Sequence, residues 1–503
     1  MPKKKTHLFT NKILGVSAGF HDAAAAVVSG GRILYAGHAE RYSRVKNDPL
    51  LNRALLRTAT EGTDPITIAY YENPYLKWLR MLFAGQKPKF ISSETIAREH
   101  FRYYAPNLKN YPHHLSHAAA GFQTSTFTSA IVVVVDAIGE WDTATIWHAS
   151  YSPLGRVQYK RLWGLRYPHS LGLFYSAMTQ RAGLKPNEDE YILMGMAAYG
   201  KSVHRFNSRF FDGLKSTVNW HAGADVVDGL EGMDPYDLAA EAQHTIELKL
   251  SKVFAIAEQF AAQYRTYNLV YMGGVALNCS ANSKVIDSRF WEGVWIMPNP
   301  GDAGSALGAA ALAYGYQLEW DGPYLGTDIE GEYPVAELLD HLLTHQIAGV
   351  AAGPAEYGPR ALGNRSLLAD PRGPDIKDRV NEIKQRQKFR PFAPAILEEH
   401  AADYFDMSRV PGGQSPYMQF TVPCKDPVAF PAIAHYDGTS RVQTVGKDCQ
   451  SGLRQLLEQW YQATGCPMLL NTSLNIKGQP MVDTVEDALR FEEHYGVRVF
   501  VGR

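Results

Sequence analysis

Apolar residues in this chain fall in short runs broken by polar turns, and one such pattern occurs twice. Residues 13–17 predict a strand. After the turn Ala18-Gly-Phe-His21-Asp22, a second apolar run at 23–28 turns through Ser29-Gly30-Gly31 and returns at 33–36, a hairpin whose polar tip holds His21 and Asp22. Residues 130–135 predict a buried strand that ends in Asp136-Ala-Ile-Gly139-Glu140, and a partner strand follows at 143–148. Between the two units, residues 41–100 are polar and helix-rich. Residues 234–264 carry apolar positions at helical spacing behind Asp234 and Pro235, which predicts one or two long amphipathic helices of structural character. A strand at 268–272 runs into Gly273-Gly274 and Asn278. Another strand end near 296 leads to Asp302 in a glycine-rich turn and an alanine-rich helix. Residues 318–333 are polar, rich in Gly and Pro and without periodicity, which sets the main boundary between a domain of residues 1–325 and one of 326–503. A helix is expected beyond it, from 375 to about 387.

Composition narrows the class. A chain of 503 residues is too long for one core and should hold two or three domains. With 45% hydrophobic and 20% charged residues it reads as an ordinary globular protein. A net charge of −1 exerts no global pull towards nucleic acid, membranes or acidic substrates, although Lys3 to Lys5 and the Arg205–Arg209 region could make a local basic face. The four cysteines show no CxxC pairing, which points to a reducing compartment. No signal-peptide-like apolar run follows the first residues, and the longest apolar run, 131–135, cannot span a bilayer. The expectation is a cytoplasmic protein with no membrane partner.

Three groups of residues carry candidate chemistry. In Tyr111-Pro-His113-His-Leu-Ser-His117-Ala-Ala-Ala, proline suits a helix start and the alanines favour helix. His113 and His117 then share one face and can bind one metal ion with positions left for substrate, although the spacing alone also suits core or surface histidines. Asp302 is well typed as a third, oxygen ligand. The two strand–acidic tip–strand units are what a duplicated actin-like or sugar-kinase-like ATPase fold would give, each tip gripping phosphates. Beyond residue 333, Arg360, Arg365, Lys388, Arg390 and Arg441 stand among glycines, prolines and aromatics where surface charge is not expected. With Asn and Ser/Thr donors near Asn471 and Ser473 they form a candidate pocket for a small dianion.

Taken together these stretches resemble the O-carbamoyltransferase family of nodulation and antibiotic-tailoring enzymes, from about Ile13 to the C-terminus. The resemblance rests on Ser17-Ala-Gly-Phe-His-Asp-Ala-Ala, Glu40-Arg-Tyr-Ser-Arg-Val-Lys, His113-His-Leu-Ser-His-Ala, Ser170-Leu-Gly-Leu-Phe-Tyr, Pro300-Gly-Asp-Ala-Gly-Ser-Ala-Leu-Gly, Tyr357-Gly-Pro-Arg-Ala-Leu-Gly-Asn-Arg-Ser and Asn471-Thr-Ser-Leu-Asn. It implies an α/β protein: a duplicated actin/sugar-kinase-like ATPase domain followed by a YrdC-like α/β domain. It further implies that carbamoyl phosphate and ATP, with Mg2+, are joined to carbamoyl-adenylate in the second domain. The carbamoyl group then passes to a substrate hydroxyl in the first, assisted by a divalent metal (Fe2+ or Mn2+).

By position, the resemblance makes His113, His117 and Asp302 the metal ligands. Asp136, Gly139, Gly273, Gly274 and Asn278 become nucleotide contacts. Arg360, Arg365, Lys388, Arg390, His435, Arg441, Asn471 and Ser473 become the carbamoyl-phosphate cradle. His21 beside Asp22 is the candidate base for the acceptor proton. The acceptor implied is a sugar- or antibiotic-type alcohol, or a hydroxymethyl-pyrimidine of DNA or a nucleotide. The alternative is an actin-like ATPase, kinase or nucleotide-binding regulator without carbamoyl transfer. Leu474 and Gln479 depart from the phenylalanine and glutamate usual in the family's last motif.

Overall fold

A computed structural model describes residues 12–101, 107–225 and 227–502. Two five-stranded sheets share one topology. In the first, β1 (Ile13–Ser17), β2 (Ala24–Ser29) and β3 (Arg32–His38) form an antiparallel meander, and β4 (Thr67–Tyr70) and β5 (Asn107–Asn110) extend it parallel to β1, in the order β3-β2-β1-β4-β5. The second repeats this with β6 (Ser129–Gly139), β7 (Asp142–Tyr151) and β8 (Val157–Arg166). A short ribbon of β9 (Phe211–Asp212) and β10 (Lys215–Ser216) intervenes. Then β11 (Asn268–Met272) and β12 (Gly293–Trp295) add parallel to β6, in the order β12-β11-β6-β7-β8. The duplication read from the two acidic tips is therefore present in the strand order.

Two small-residue helices, His113–Phe122 and Gly304–Tyr314, pack against each other between the sheets, and each also packs on the sheet of the other half. The packing is close because glycines face backbone. A Cβ on Gly308 would lie 1.8 Å from the Ser116 carbonyl oxygen, and one on Gly15 of β1 would lie 2.0 Å from that of Ala306. These crossings fix where His113, His117 and Asp302 can stand.

Residues 235–264 form one 30-residue helix, Pro235–Tyr264, with the Asp234 carboxylate accepting from the backbone N–H groups of Tyr236 and Asp237. The polar stretch in which the sequence places the main boundary contains a strand, β13 (Tyr324–Ile329). Beyond it come β14 (Ile347–Ala351) and β15 (Gly353–Glu356), and β13 pairs antiparallel with β15. Next are β16 (Arg365–Ala369) and β17 (Ala393–Leu397), then a ribbon of β18 (Thr421–Pro423) and β19 (Thr439–Arg441). The chain closes with β20 (Gln443–Val445), β21 (Met468–Ser473) and β22 (Val499–Val501). A mixed six-stranded sheet of order β20-β17-β21-β16-β14-β22 results. The helix expected to about residue 387 is Ile376–Ile383.

The charged segment Glu40 to Lys46 grips this last part of the chain. Arg44 donates to the carbonyls of Met481 (2.9 Å) and Pro480 (3.2 Å) and pairs with Asp487 at 3.1 Å, and Arg41 donates to the carbonyl of Val482. These two basic groups are spent on packing, while Lys46 lines the main cavity. Among the described residues no helix is long and apolar enough to cross a membrane.

Candidate functional site

The His113–Phe122 helix begins without a side-chain cap of its own. Glu140 supplies one, accepting from the backbone N–H groups of His113 (3.1 Å) and Asn73 (2.6 Å). One turn apart, His113 and His117 point their Nε2 atoms at the same spot, 3.0 Å from each other. Asp302, in the turn before the Gly304–Tyr314 helix, places Oδ1 at 3.3 Å from His113 Nε2 and 3.4 Å from His117 Nε2. Asp136 completes the group, with Oδ2 at 3.1 Å from His113 Nε2 and 3.7 Å from His117 Nε2. All four ligand atoms lie within 4.8 Å of one another, and all four residues are buried.

The second nitrogen of each imidazole is fixed. His117 Nδ1 donates to the Pro300 carbonyl at 3.0 Å; a carbonyl only accepts, so Nδ1 carries the proton and Nε2 presents its lone pair. His113 Nδ1 donates to Glu72 at 3.0 Å, and the other oxygen of Glu72 bonds the buried Lys77 ammonium. Two Nε2 lone pairs 3.0 Å apart beside two carboxylates repel unless positive charge lies between them. Burial opposes protonation of His113, yet the Asp302 charge and hydrogen bonds to Asp136, Asp302 and Glu72 raise its pKa well above the usual imidazole value. The donor set fits a divalent cation, which would take the place of that proton: two imidazole Nε2 atoms, two carboxylates, and outer partners that hold the rings.

Asp136, expected as a nucleotide contact, stands in this cluster. It does not sit at a hairpin tip: β6 runs on to Gly139, and residues 136–138 stand against Thr143 alone in an irregularity of the β6–β7 pairing. Its other oxygen, Oδ1, accepts from the Gly274 backbone N–H at 3.0 Å. Gly139 serves His113: a Cβ there would lie 2.3 Å from the imidazole Cδ2. Gly273, at φ +93°, would place a Cβ 2.1 Å from the Val135 carbonyl oxygen, so it serves strand packing. The Asn278 side chain caps the Cys279–Val285 helix through Ala281 and exchanges two hydrogen bonds with Gln243. His114, the middle histidine of the motif, bonds Thr145 and stays outside the cluster; burial, then the charges of His113 and His117, hold it well below the usual imidazole range.

One cavity of ≈ 710 Å³ touches Asp136, Asp302, His21, Gly274 and Asn278 and also reaches a group of cations. Arg360, Arg390, His435, Arg441, Asn471 and Ser473 line it, as expected from the sequence, and Arg386 joins them unforeseen. Burial, then the charge of Arg441, lowers Arg360 from the usual guanidinium range; burial, then Arg390 and Arg441, lowers Arg386. Arg441 Nε is buried with its N–H unmet by protein. Cations crowded together, one with an unmet donor, describe a site for an anion.

Two expected cradle residues do not reach the cavity. Arg365 is fully buried and donates to the backbone carbonyls of Ala352, Gly353, Asn364, Thr327 and Asp483. Lys388 is exposed and stands near Glu382 at 3.7 Å. The Ile376–Ile383 helix stops four residues short of its expected end, and the turn through Lys384 and Gln385 (φ +48°) delivers Arg386 to the cavity instead. The long helix Pro235–Tyr264, expected to be structural, also contributes Gln243 and Glu247 to the lining.

His21 lines the cavity with Nδ1 at 2.9 Å from Asp22 Oδ2. Burial works against its charging, but the hydrogen bond to Asp22 and the charges of Asp302, Asp22 and Asp136 outweigh it and lift its pKa to about 9. Glu72 and Lys77 were not anticipated; no spacing marks them. Lys3 to Lys5 lie outside the described residues.

Residues 59–311 match the family model of the carbamoyltransferase N-terminus and residues 339–502 that of the carbamoyltransferase C-terminus. An uncharacterized protein of Synechocystis sp. is 31% identical over 95% of this chain and 93% of its own length. The nodulation protein NolNO of Sinorhizobium fredii is 31% identical over 93% of this chain and 76% of its own length. Among solved structures, HypF of T. kodakarensis aligns with a TM-score of 0.36 and 16% identity over 61% of this chain and 48% of its own, too distant to bear on the chemistry.

Proposed function

The chain belongs to the carbamoyltransferase family and is an enzyme of carbamoyl transfer; from that premise we propose that it is an ATP- and carbamoyl phosphate-dependent O-carbamoyltransferase. The observation that carries this reading is the single ≈ 710 Å³ cavity, lined by an arginine group in one region and by Asp136 and Asp302 in another. Residues 326–503 are read as a YrdC-like carbamoyl-phosphate-binding part and residues 1–325 as an actin-like, nucleotide-using transfer part, a division supported by the duplicated strand order of the first.

In the proposed sequence Arg360, Arg386, Arg390 and Arg441 hold carbamoyl phosphate through its phosphate oxygens. Water cleaves it to carbamate and phosphate, and a carbamate oxygen attacks the α-phosphorus of ATP to give carbamoyl-adenylate and pyrophosphate. The acceptor hydroxyl then attacks the carbamoyl carbon, releasing AMP and a proton. Carbamoyl-adenylate would hydrolyse in bulk water, so one enclosed chamber for both steps has a physical purpose. His113, His117, Asp136 and Asp302 would hold a divalent cation, which supplies Lewis-acid polarisation of carbonyl or phosphate oxygens. His21 and Asp22 line the same cavity as Asp136 and Asp302, and His21 is the base of this reading, taking the proton of the acceptor hydroxyl. The acceptor class is a small-molecule sugar- or antibiotic-type alcohol or a hydroxymethyl-pyrimidine in DNA or a nucleotide.

The test is incubation with ATP, carbamoyl phosphate and a panel of hydroxylated acceptors that includes hydroxymethylated DNA. Pyrophosphate release that requires carbamoyl phosphate, with a mass gain of one carbamoyl group on one acceptor, is expected. ATP turnover indifferent to carbamoyl phosphate would favour the ATPase or kinase reading instead.

A further inference from the structure

The helix Pro74–Phe83 is turned inside out. Its two cations, Lys77 and Arg80, are buried, while Tyr75, Leu76, Trp78, Leu79, Leu82 and Phe83 face solvent. Tyr75 and Phe83 are 69% and 72% exposed, and Phe90 in the following loop, packed on Tyr75 with ring centroids 5.2 Å apart, widens the face. Elsewhere on the surface exposed large apolar residues are mostly scattered, which is ordinary. The reason for the inversion lies beneath the helix. Lys77 bonds Glu72, and Arg80 donates to Gln86 at 2.6 Å within the field of Glu72 and Glu140. The cations face inward because buried carboxylates that hold His113 are there, and the apolar side chains are left outward.

We infer that this face pairs with the same face of a second copy of the chain. Scaled by their exposures, the seven side chains leave on the order of 700 Å² uncovered. That is above the roughly 300–600 Å² of the largest patch on a typical monomer. It approaches the roughly 800 Å² that each partner contributes to a standard stable interface. Between Asn73 and Ser92 the exposed charged residues are Lys87 and Lys89 alone, both in the loop after the helix. The helix face itself offers no charge by which a different protein would be selected. A two-fold axis removes that need, since one apolar patch is then its own complement. The helix pair would also brace the segment that carries Glu72 and Asn73 against the cluster.

The full-length protein in analytical ultracentrifugation, at about micromolar concentration, is expected to sediment as a species of twice the 55.9 kDa chain mass. Phe83→Glu and Leu79→Glu should each weaken self-association at least about 100-fold. Leu34→Glu, at an exposed apolar residue elsewhere, should not. Hydrogen exchange on the unmodified protein serves should a variant fail to fold: amides of residues 74–90 should become more protected as protein concentration rises. A monomer at all concentrations, or a dimer insensitive to both helix variants, overturns the inference. So does a monomer that binds phosphatidylglycerol vesicles through this face, which would assign it to an anionic lipid surface instead.

Discussion

Gly139 shows how little room the cluster allows. A methyl group there would press on the His113 ring at 2.3 and 2.4 Å and on its Cβ at 2.8 Å, closer than carbon atoms pack. Gly139→Ala should therefore rotate or push His113 off its line to Glu72. Calorimetric titration of the apo-protein with a divalent metal should show affinity reduced about 10–100-fold, as for other losses of a ligand's outer support, with secondary structure kept. Unchanged affinity would mean the ring has slack that the packing does not show. At the cation end His435 carries a different signal. The Thr439 hydroxyl donates to Asp437 at 2.7 Å, so it accepts from His435 Nδ1 at 2.9 Å, and Nε2 is left as an acceptor. Burial, then the charge of Arg441, outweighs the pull of Asp437 and lowers its pKa to about 4. Because this folded value lies below the free one, the stabilising contribution is complete above pH 6.5 and is lost as pH falls towards 4. His435 is half-buried at the cavity wall, so the loss is at most about 2–3 kcal/mol. Urea denaturation at pH 7 and pH 4.5 should show a smaller acid loss for His435→Gln than for the wild type. Equal losses would place the titration elsewhere.

The segment from the end of β4 into the Pro74–Phe83 helix joins two roles that one substitution confounds and a pair separates. Glu72 orients His113 and neutralises Lys77, both buried. Glu72→Gln should lower metal affinity about tenfold or more and, by stranding Lys77, cost about 3 kcal/mol of stability. Adding Lys77→Met should restore most of the stability while leaving metal affinity low. Recovery of both would make Glu72 a structural residue only. Nothing in the sequence marks this element. A reader of Pro74-Tyr-Leu-Lys-Trp-Leu-Arg-Met-Leu-Phe83 expects the apolar positions inside; the reversal depends on Glu72 and Glu140, which meet only in the fold. His113, His117 and Asp302 were legible because their information is local: a helical spacing of four and an aspartate among glycines. Lys388 and Arg365 misled for the complementary reason. Whether a cation faces a cavity or a row of carbonyls depends on where a helix stops and which strands adjoin it, and composition holds neither.

Over the whole molecule, one cavity holds two unlike charge environments, an arginine group and the carboxylates of Asp136 and Asp302, and on the proposed reading the two half-reactions should be separable by mutation. His117→Ala should therefore keep carbamoyl phosphate-dependent pyrophosphate release within a few-fold of wild type while product formation falls by about 100-fold or more. AMP should still appear, because carbamoyl-adenylate with no competent acceptor step is left to water. Arg441→Ala, which removes a cation whose Nε is buried and unpaired by protein, should reduce both readouts together, with a raised KM for carbamoyl phosphate. Pyrophosphate by a coupled assay and carbamoylated product by mass spectrometry, measured in the same tube, give the ratio that decides. If His117→Ala abolished pyrophosphate release as fully as product, adenylation would itself need the metal cluster, and the two ends of the cavity would be one catalytic centre. The strand order favours separation: His117 belongs to the duplicated sheets and Arg441 to a ribbon beside the six-stranded sheet, and each is held by partners of its own part of the chain.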